Sequence, residues 1–313
     1  MAVLPDERYA IICNSHRDNS CKELLLMTTY ALSVTVAGQP FDMMQYNAAE
    51  SLTGIFFKSA YDAFNFENNV LTKITDADYP GWSVVTPTSI TRSGSTATAT
   101  LPSAVNWESG ATATVAGAAE TEYNGDFVIA VTDSTHFTYT VTGTPATPAT
   151  GTITITCGRT TVPGIVYLDS FFFVMDTNAV IYNSALNDPT SWDAIDIITA
   201  EKEPGAGVAL AKSQSYVIAL KEWSTEFFYN NGNSPGSPLE PVLSAFTLVG
   251  CASGESVAAL DETIYWVSRA RQQGPAVHRM AGLEQTKIST PDVDRILAAD
   301  ALDDVYSYGV KIA

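Results

Sequence analysis

Apolar and polar positions alternate with a period of two through most of this chain, and the stretches that break the alternation are continuously apolar. Both patterns predict β-strands, half-buried in the first case and buried on both faces in the second. The fullest unit spans 162–196. Gly164 opens it, Ile165, Tyr167 and the run 171–175 are predicted as buried strand, 176–178 as the reversal, and 179–183 as the returning strand. Asn187, Asp188 and Pro189 are expected to break the chain into a braced corner over a buried Trp192. Upstream, strands are predicted at 9–13, 23–28, 30–36, 52–58 and 70–74, with a turn through 60–64 and a second corner at 75–81. Downstream they are predicted at 215–220, 225–230, 263–268, 276–280 and, as a terminal strand, 306–313. One helix is predicted, over 291–299, with Thr290 at its N-cap, Pro291 at the first helical position and Asp292 in the first turn.

The pattern changes character at Trp82. Residues 83–158 are rich in Thr, Ala, Val, Gly and Ser, carry Arg92 as their single Lys or Arg, and alternate clearly at 96–100, 127–131, 137–141 and 151–156. This predicts a small all-β module inserted at an exposed loop tip of the main domain, giving segments 1–82, 83–158 and 159–313. With the module set aside, the leading strands of successive units, anchored at Tyr9, Phe56, Phe172, Tyr216, Ile264 and Tyr306, recur every 40–48 residues or so. That is the spacing of β-propeller blades, one four-stranded sheet per repeat. The fold expected is therefore all-β: a β-propeller with an inserted all-β module and one short helix near the C-terminus.

Composition then narrows the function. The 313 residues are 46% hydrophobic and 16% charged, ample for a packed core, and the formal charge is −18. Such a chain repels nucleic-acid phosphates rather than binding them. Cys13, His16 and Cys21 make a C-x2-H-x4-C spacing without a second pair, so free thiols are expected rather than zinc. Asp76 and Asp78 are expected to cap a turn rather than hold calcium. No apolar stretch near the start suits a signal peptide or membrane span, and synthesis in the cytoplasm is expected. His16, His136 and His278 are far apart, and phosphate-loop, nucleophile-elbow and zinc-protease motifs are missing. The carboxylates around Trp223 (Glu222, Glu226) and after Trp192 (Asp193, Asp196) are the pairs a glycosidase would need, but spacing along a chain cannot set the separation across a cleft. No enzyme, cofactor or metal is expected.

At 162–176, 184–201, 225–233 and 285–297 the sequence resembles the phage stabilisation protein family, the tail hub or packaged-DNA stabilisation proteins of short-tailed phages. The resemblance covers roughly 56–313 without the module. It implies a structural virion protein: a ring of six propeller-bearing subunits below the portal and its adaptor, retaining packaged DNA and providing the ejection channel. It also implies contacts with other tail proteins (nozzle, tail fibre or spike), DNA passing without specific binding, and no catalytic residue. Longer members have chain before the first blade and after the last motif here, so a shortened or divided hub, or a propeller closed by a neighbouring chain, is expected. Glu284, Asp292, Asp294, Asp300, Asp303 and Asp304 are the candidate channel lining, because carboxylates do not hold phosphates. A propeller glycosidase or depolymerase, and a receptor-binding or decoration protein that meets host glycans through the module, are the competing classes.

Overall fold

The computed structural model describes residues 54–302 and 305–307 apart from 61, 68, 69, 106, 108 and 261, and nearer the N-terminus it describes strand backbone only. Among the described residues the strands form seven antiparallel sheets, and five of these are meanders that follow sequence order. Blade 1 has β1–β4 (Ala2–Val3, Ala10–His16, Ser20–Leu26, Leu32–Val34). Blade 2 has β5–β8 (Asp42–Asn47, Thr53–Lys58, Ala63–Glu67, Val70–Lys73). Eight strands, β9–β16, then intervene (Trp82–Val85, Ser89–Ser93, Thr96–Thr100, Thr112–Ala118, Gly125–Val128, Ala130–Asp133, His136–Thr140, Gly151–Gly158). They make two four-stranded sheets closed over a core of their own that includes Ile90, Tyr123, Phe137 and Ile155.

Blade 3 has β17–β20 (Val166–Leu168, Phe171–Met175, Val180–Ala185, Asp188–Thr199) and blade 4 has β21–β24 (Gly207–Ser213, Tyr216–Lys221, Thr225–Asn230, Leu239–Thr247). In blade 5 the outer strand is split into β25 (Gly250–Cys251) and β26 (Ala258–Leu260), both paired with β27 (Thr263–Arg269), followed by β28 (Val277–Ala281) and β29 (Glu284–Lys287). The helix α1, Pro291–Ala298, comes next.

Period-two geometry explains why the central strands are apolar throughout. In β18, Phe172 and Val174 face the core shared with Phe56 of blade 2, while Phe173 and Met175 face the core shared with blade 4. In β22, Val217 and Ala219 point back at blade 3, while Ile218 and Leu220 meet Ile264 and Trp266 of blade 5. Each such strand is buried on both faces because its sheet is packed between two others. Gly164 lets the blades approach: at its φ of +104° a Cβ would stand 1.8 Å from the carbonyl oxygen of Leu210.

Several expectations change. The repeat anchors Phe56, Phe172, Tyr216 and Ile264 belong to the second strand of each sheet, not the first. Strands β5 and β7 were not anticipated, and β7 occupies part of the expected 60–64 turn. The expected strand at 127–131 is divided at Ile129 between β13 and β14. Asp188 does not end the unit but opens a twelve-residue strand, with the turn one step earlier at Leu186-Asn187. Residues 305–307 are not strand, and 308–313 lie outside the described residues.

Candidate functional site

Three places gather polar or aromatic side chains. The first is the corner of blade 3. Asn187 adopts a left-handed φ of 54° and its side-chain oxygen accepts from Tyr167 Oη at 2.8 Å. Asp188 accepts from the Thr190 amide at 2.9 Å and its hydroxyl at 2.6 Å, an Asx-type turn. Trp192 Nε1 donates to the Pro189 carbonyl at 2.8 Å. Between Ala185–Asp188 and Ser184–Trp192 the ladder shifts register, which tucks the indole inward. There it meets Tyr79 edge-on at 5.0 Å and Phe56 at 6.4 Å. The Trp192 amide donates to Asp76, whose other oxygen caps the Asp78 amide at 2.9 Å. Trp192 thus braces blade 3 against the chain leaving blade 2, while the bonds of Asn187, Asp188 and Pro189 stay within blade 3. Burial, with Asp76 and then Asp193 nearby, raises the Asp78 carboxyl above its usual range.

The second place is the acidic C-terminal region. Asp292 and Asp294 occupy the first turn of α1, where the helix dipole favours anions. Asp294 accepts from Lys287 Nζ and Ser289 Oγ, both at 2.5 Å, and these bonds hold its carboxyl below the ordinary value. Asp292 pairs with Arg295 at 2.8 Å, and Asp300 accepts from the Ala301 amide. Glu284 is exposed at the opposite end of β29 from the helix. Asp303 and Asp304 lie outside the described residues. Close by, burial depresses His278 below its ordinary range, with Lys287 adding to the effect and Asp294 opposing it.

The third place is a cleft of about 360 Å³ between the Thr-rich module and the chain after blade 2, walled by Tyr79, Trp82 and Trp107 with Asp76, Ser83 and Arg159.

The residues missed in the sequence are buried ions. Lys58 donates to the Val162 carbonyl at 2.6 Å, and Lys221 donates to the carbonyls of Ala200, at 2.6 Å, and Glu203 and pairs with Glu226 at 3.3 Å. Asp176, fully buried, accepts from the Asn178 and Val180 amides and Tyr182 Oη, with Arg159 at 3.5 Å. For Lys58 and Lys221 the only signal in the sequence was a lysine closing an otherwise apolar strand; Asp176 was read as part of the 176–178 reversal, where it accepts from the Asn178 amide, but its burial was not read. Glu226 is sealed by Lys221 and the Lys202 amide, whereas Glu222 pairs with Arg269 at the surface, so the two candidate glycosidase carboxylates are held by different cations. Among the described residues no three His, Cys, Asp or Glu side chains gather as a metal site. Cys157 and Cys251 are buried free thiols, pushed up to about 11 by burial, while the side chains of Cys13, His16 and Cys21 lie outside the described residues.

Comparison with known proteins locates the chain. It is similar at low identity to several solved structures. BBS1N in complex with ARL6DN has 10% identity and a TM-score of 0.28, over 85% of this chain and 70% of that one. The endosialidase of phage phi92 has 12% identity and a TM-score of 0.27, over 85% and 50%. Hsv2 of Kluyveromyces lactis has 9% identity and a TM-score of 0.30, over 87% and 77%. No curated protein matches. The family profile described as Bacteriophage P22 Gp10, beta-propeller matches residues 98–310. The match begins inside the module, later than the expected resemblance from residue 56. The five meanders and this match lead to one conclusion: the chain belongs to the phage stabilisation family and is a phage structural protein of β-propeller fold.

Proposed function

We propose that the chain is a tail hub subunit, forming a ring, six-membered in the family reading, below the portal and its adaptor that retains packaged DNA and provides the ejection channel. The observation that carries this is the family match over 98–310. Two physical features support it. A formal charge of −18 suits a conduit for DNA, because a surface without clustered cations has no counterions to release from phosphate and so does not retard a sliding duplex. Glu284, Asp292, Asp294 and Asp300, with Asp303 and Asp304, are proposed to face that passage. The helix α1 has no buried residue, and Val293 and Ile296 stand in solvent, as befits an element completed by a neighbouring protein. On this reading the protein is architectural rather than catalytic, its partners are copies of itself, the portal and adaptor, and the nozzle, fibre or spike proteins, and its place is the virion tail.

The test is assembly. Imaging and mass measurement of the purified chain, alone and with a portal–adaptor complex, are expected to give a ring that docks coaxially with the portal. A monomer that stays monomeric and does not dock would overturn the proposal, whatever sugars it does or does not bind.

A further inference from the structure

The cleft between the module and the propeller has a composition of its own. Two of the five tryptophans of the chain, Trp82 and Trp107, meet Tyr79 there around a volume of about 360 Å³, at the small end of ligand pockets. The walls come from both sides of the junction: Tyr79 from the chain after blade 2, Trp82 from β9, and Trp107 from the loop before β12. They are held in place. Tyr79 is wedged edge-on against Trp192 at 5.0 Å, and Trp107 packs on Phe137 at 5.6 Å while its Nε1 donates to Ser83 Oγ at 3.1 Å. Around the aromatic walls lie a carboxylate, Asp76, cations at Lys73 and Arg159, and hydroxyls at Ser83 and Ser103.

We propose that this cleft binds one or two pyranose rings of a glycan. A pyranose has an apolar face of axial C–H bonds and a rim of hydroxyls. The first needs an aromatic surface, and the second needs donors and acceptors together around its edge. Trp82, half-buried, supplies the surface, flanked by Tyr79 and Trp107, each 7% exposed. Asp76 supplies acceptor capacity: its oxygens take the amides of Asp78 and Trp192, and a carboxylate offers about four lone-pair sites. Ser103, exposed, and Lys73, which also pairs with Asp62 at 2.6 Å, supply donors. The preset walls spare the ligand the cost of ordering them. An extended nucleic-acid strand is a poorer fit, because the chain as a whole carries a formal charge of −18. The proposal concerns the junction of module and blade 2, with Tyr79 shared with the core of blades 2 and 3, and it holds for a monomer or a ring.

The experiment uses the full chain and a panel of glucose, galactose, rhamnose, N-acetylglucosamine and their disaccharides, read by saturation-transfer NMR and by tryptophan fluorescence. At least one sugar is expected to receive saturation and to perturb fluorescence with a Kd of about 1 mM or tighter. Trp82→Ala removes a wall but also disturbs β9. The deciding variant is therefore Ser103→Trp, which fills the mouth from an exposed position and should leave thermal unfolding unchanged. It is expected to weaken binding by about tenfold or more. No transfer to any sugar of the panel overturns the proposal, and so does binding that survives Ser103→Trp undiminished.

Discussion

The buried lysines decide how blade 3 is held. Lys58, on the face of β6 that carries Phe56, reaches the chain entering blade 3 at Val162. Lys221, on the face of β22 that carries Val217 and Ala219, reaches the chain leaving it at Ala200. A lysine this deep is rare, because taking an ammonium from water costs several kcal/mol unless every donor is used. Lys221 meets that condition with two carbonyls and Glu226. Lys221→Met therefore does more than delete a bond: it strands the Glu226 carboxylate at 3% exposure. We expect it to destabilise the protein by about 3–5 kcal/mol, with Lys221→Met/Glu226→Leu recovering much of the loss, as measured by denaturant unfolding. None of this was legible in the sequence, where a terminal lysine on an apolar strand reads as the point at which the strand meets solvent. The corner was legible only in part: Asn187 turns with a left-handed φ and Trp192 is buried, but Asp188 and Pro189, read as chain breakers, open β20 instead.

At the scale of elements, legibility followed burial. Strands β18 and β22 were readable as runs because both faces are covered, and for the same reason the repeat was found on the second strand of each sheet, an interior strand. Strand β7 was missed because Asn65 interrupts its apolar pattern and because β6 ends only a few residues before it. The helix was legible from Pro291 and the first-turn acids, although Thr290 makes no side-chain cap. Eight residues with no buried side chain cannot sustain a helix in water by propensity alone. Bonds from Lys287 and Ser289 to Asp294 tether its first turn, and they leave Val293 and Ile296 uncovered. Ile296→Glu is expected to change monomer stability by less than about 0.5 kcal/mol, as exposed substitutions do. It is expected to weaken self-association or portal docking, measured by analytical ultracentrifugation. Unaltered assembly would take α1 out of the interface.

At the scale of the molecule, the Thr-rich strands enclose a core of their own. Their core contains residues from 90 to 157 and none from the blades. A fragment covering 82–158 is expected to fold alone with a cooperative thermal transition. The chain with 83–157 replaced by a short Gly-Ser link is expected to keep its far-UV β signature and its assembly; loss of cooperative unfolding in either product would contradict this independence. The reason lies at the splice. Lys58 bonds the Val162 carbonyl, the Thr161 amide donates to the Ala60 carbonyl at 2.9 Å, and Thr161 Oγ1 donates to the Ser59 carbonyl at 3.0 Å, so the chain before the module is stitched directly to the chain after it. Gly158 lies so close to Gly81 that a Cβ would stand 2.2 Å from the Gly81 carbonyl oxygen. Because the closure entropy of a loop grows only with the logarithm of its length, the stitched ends tolerate cargo of almost any size between them. In evolutionary terms the stitch makes the module a cassette: a lineage can lose it, double it or trade it for another insert in one recombination event, and the propeller that carries it need not change.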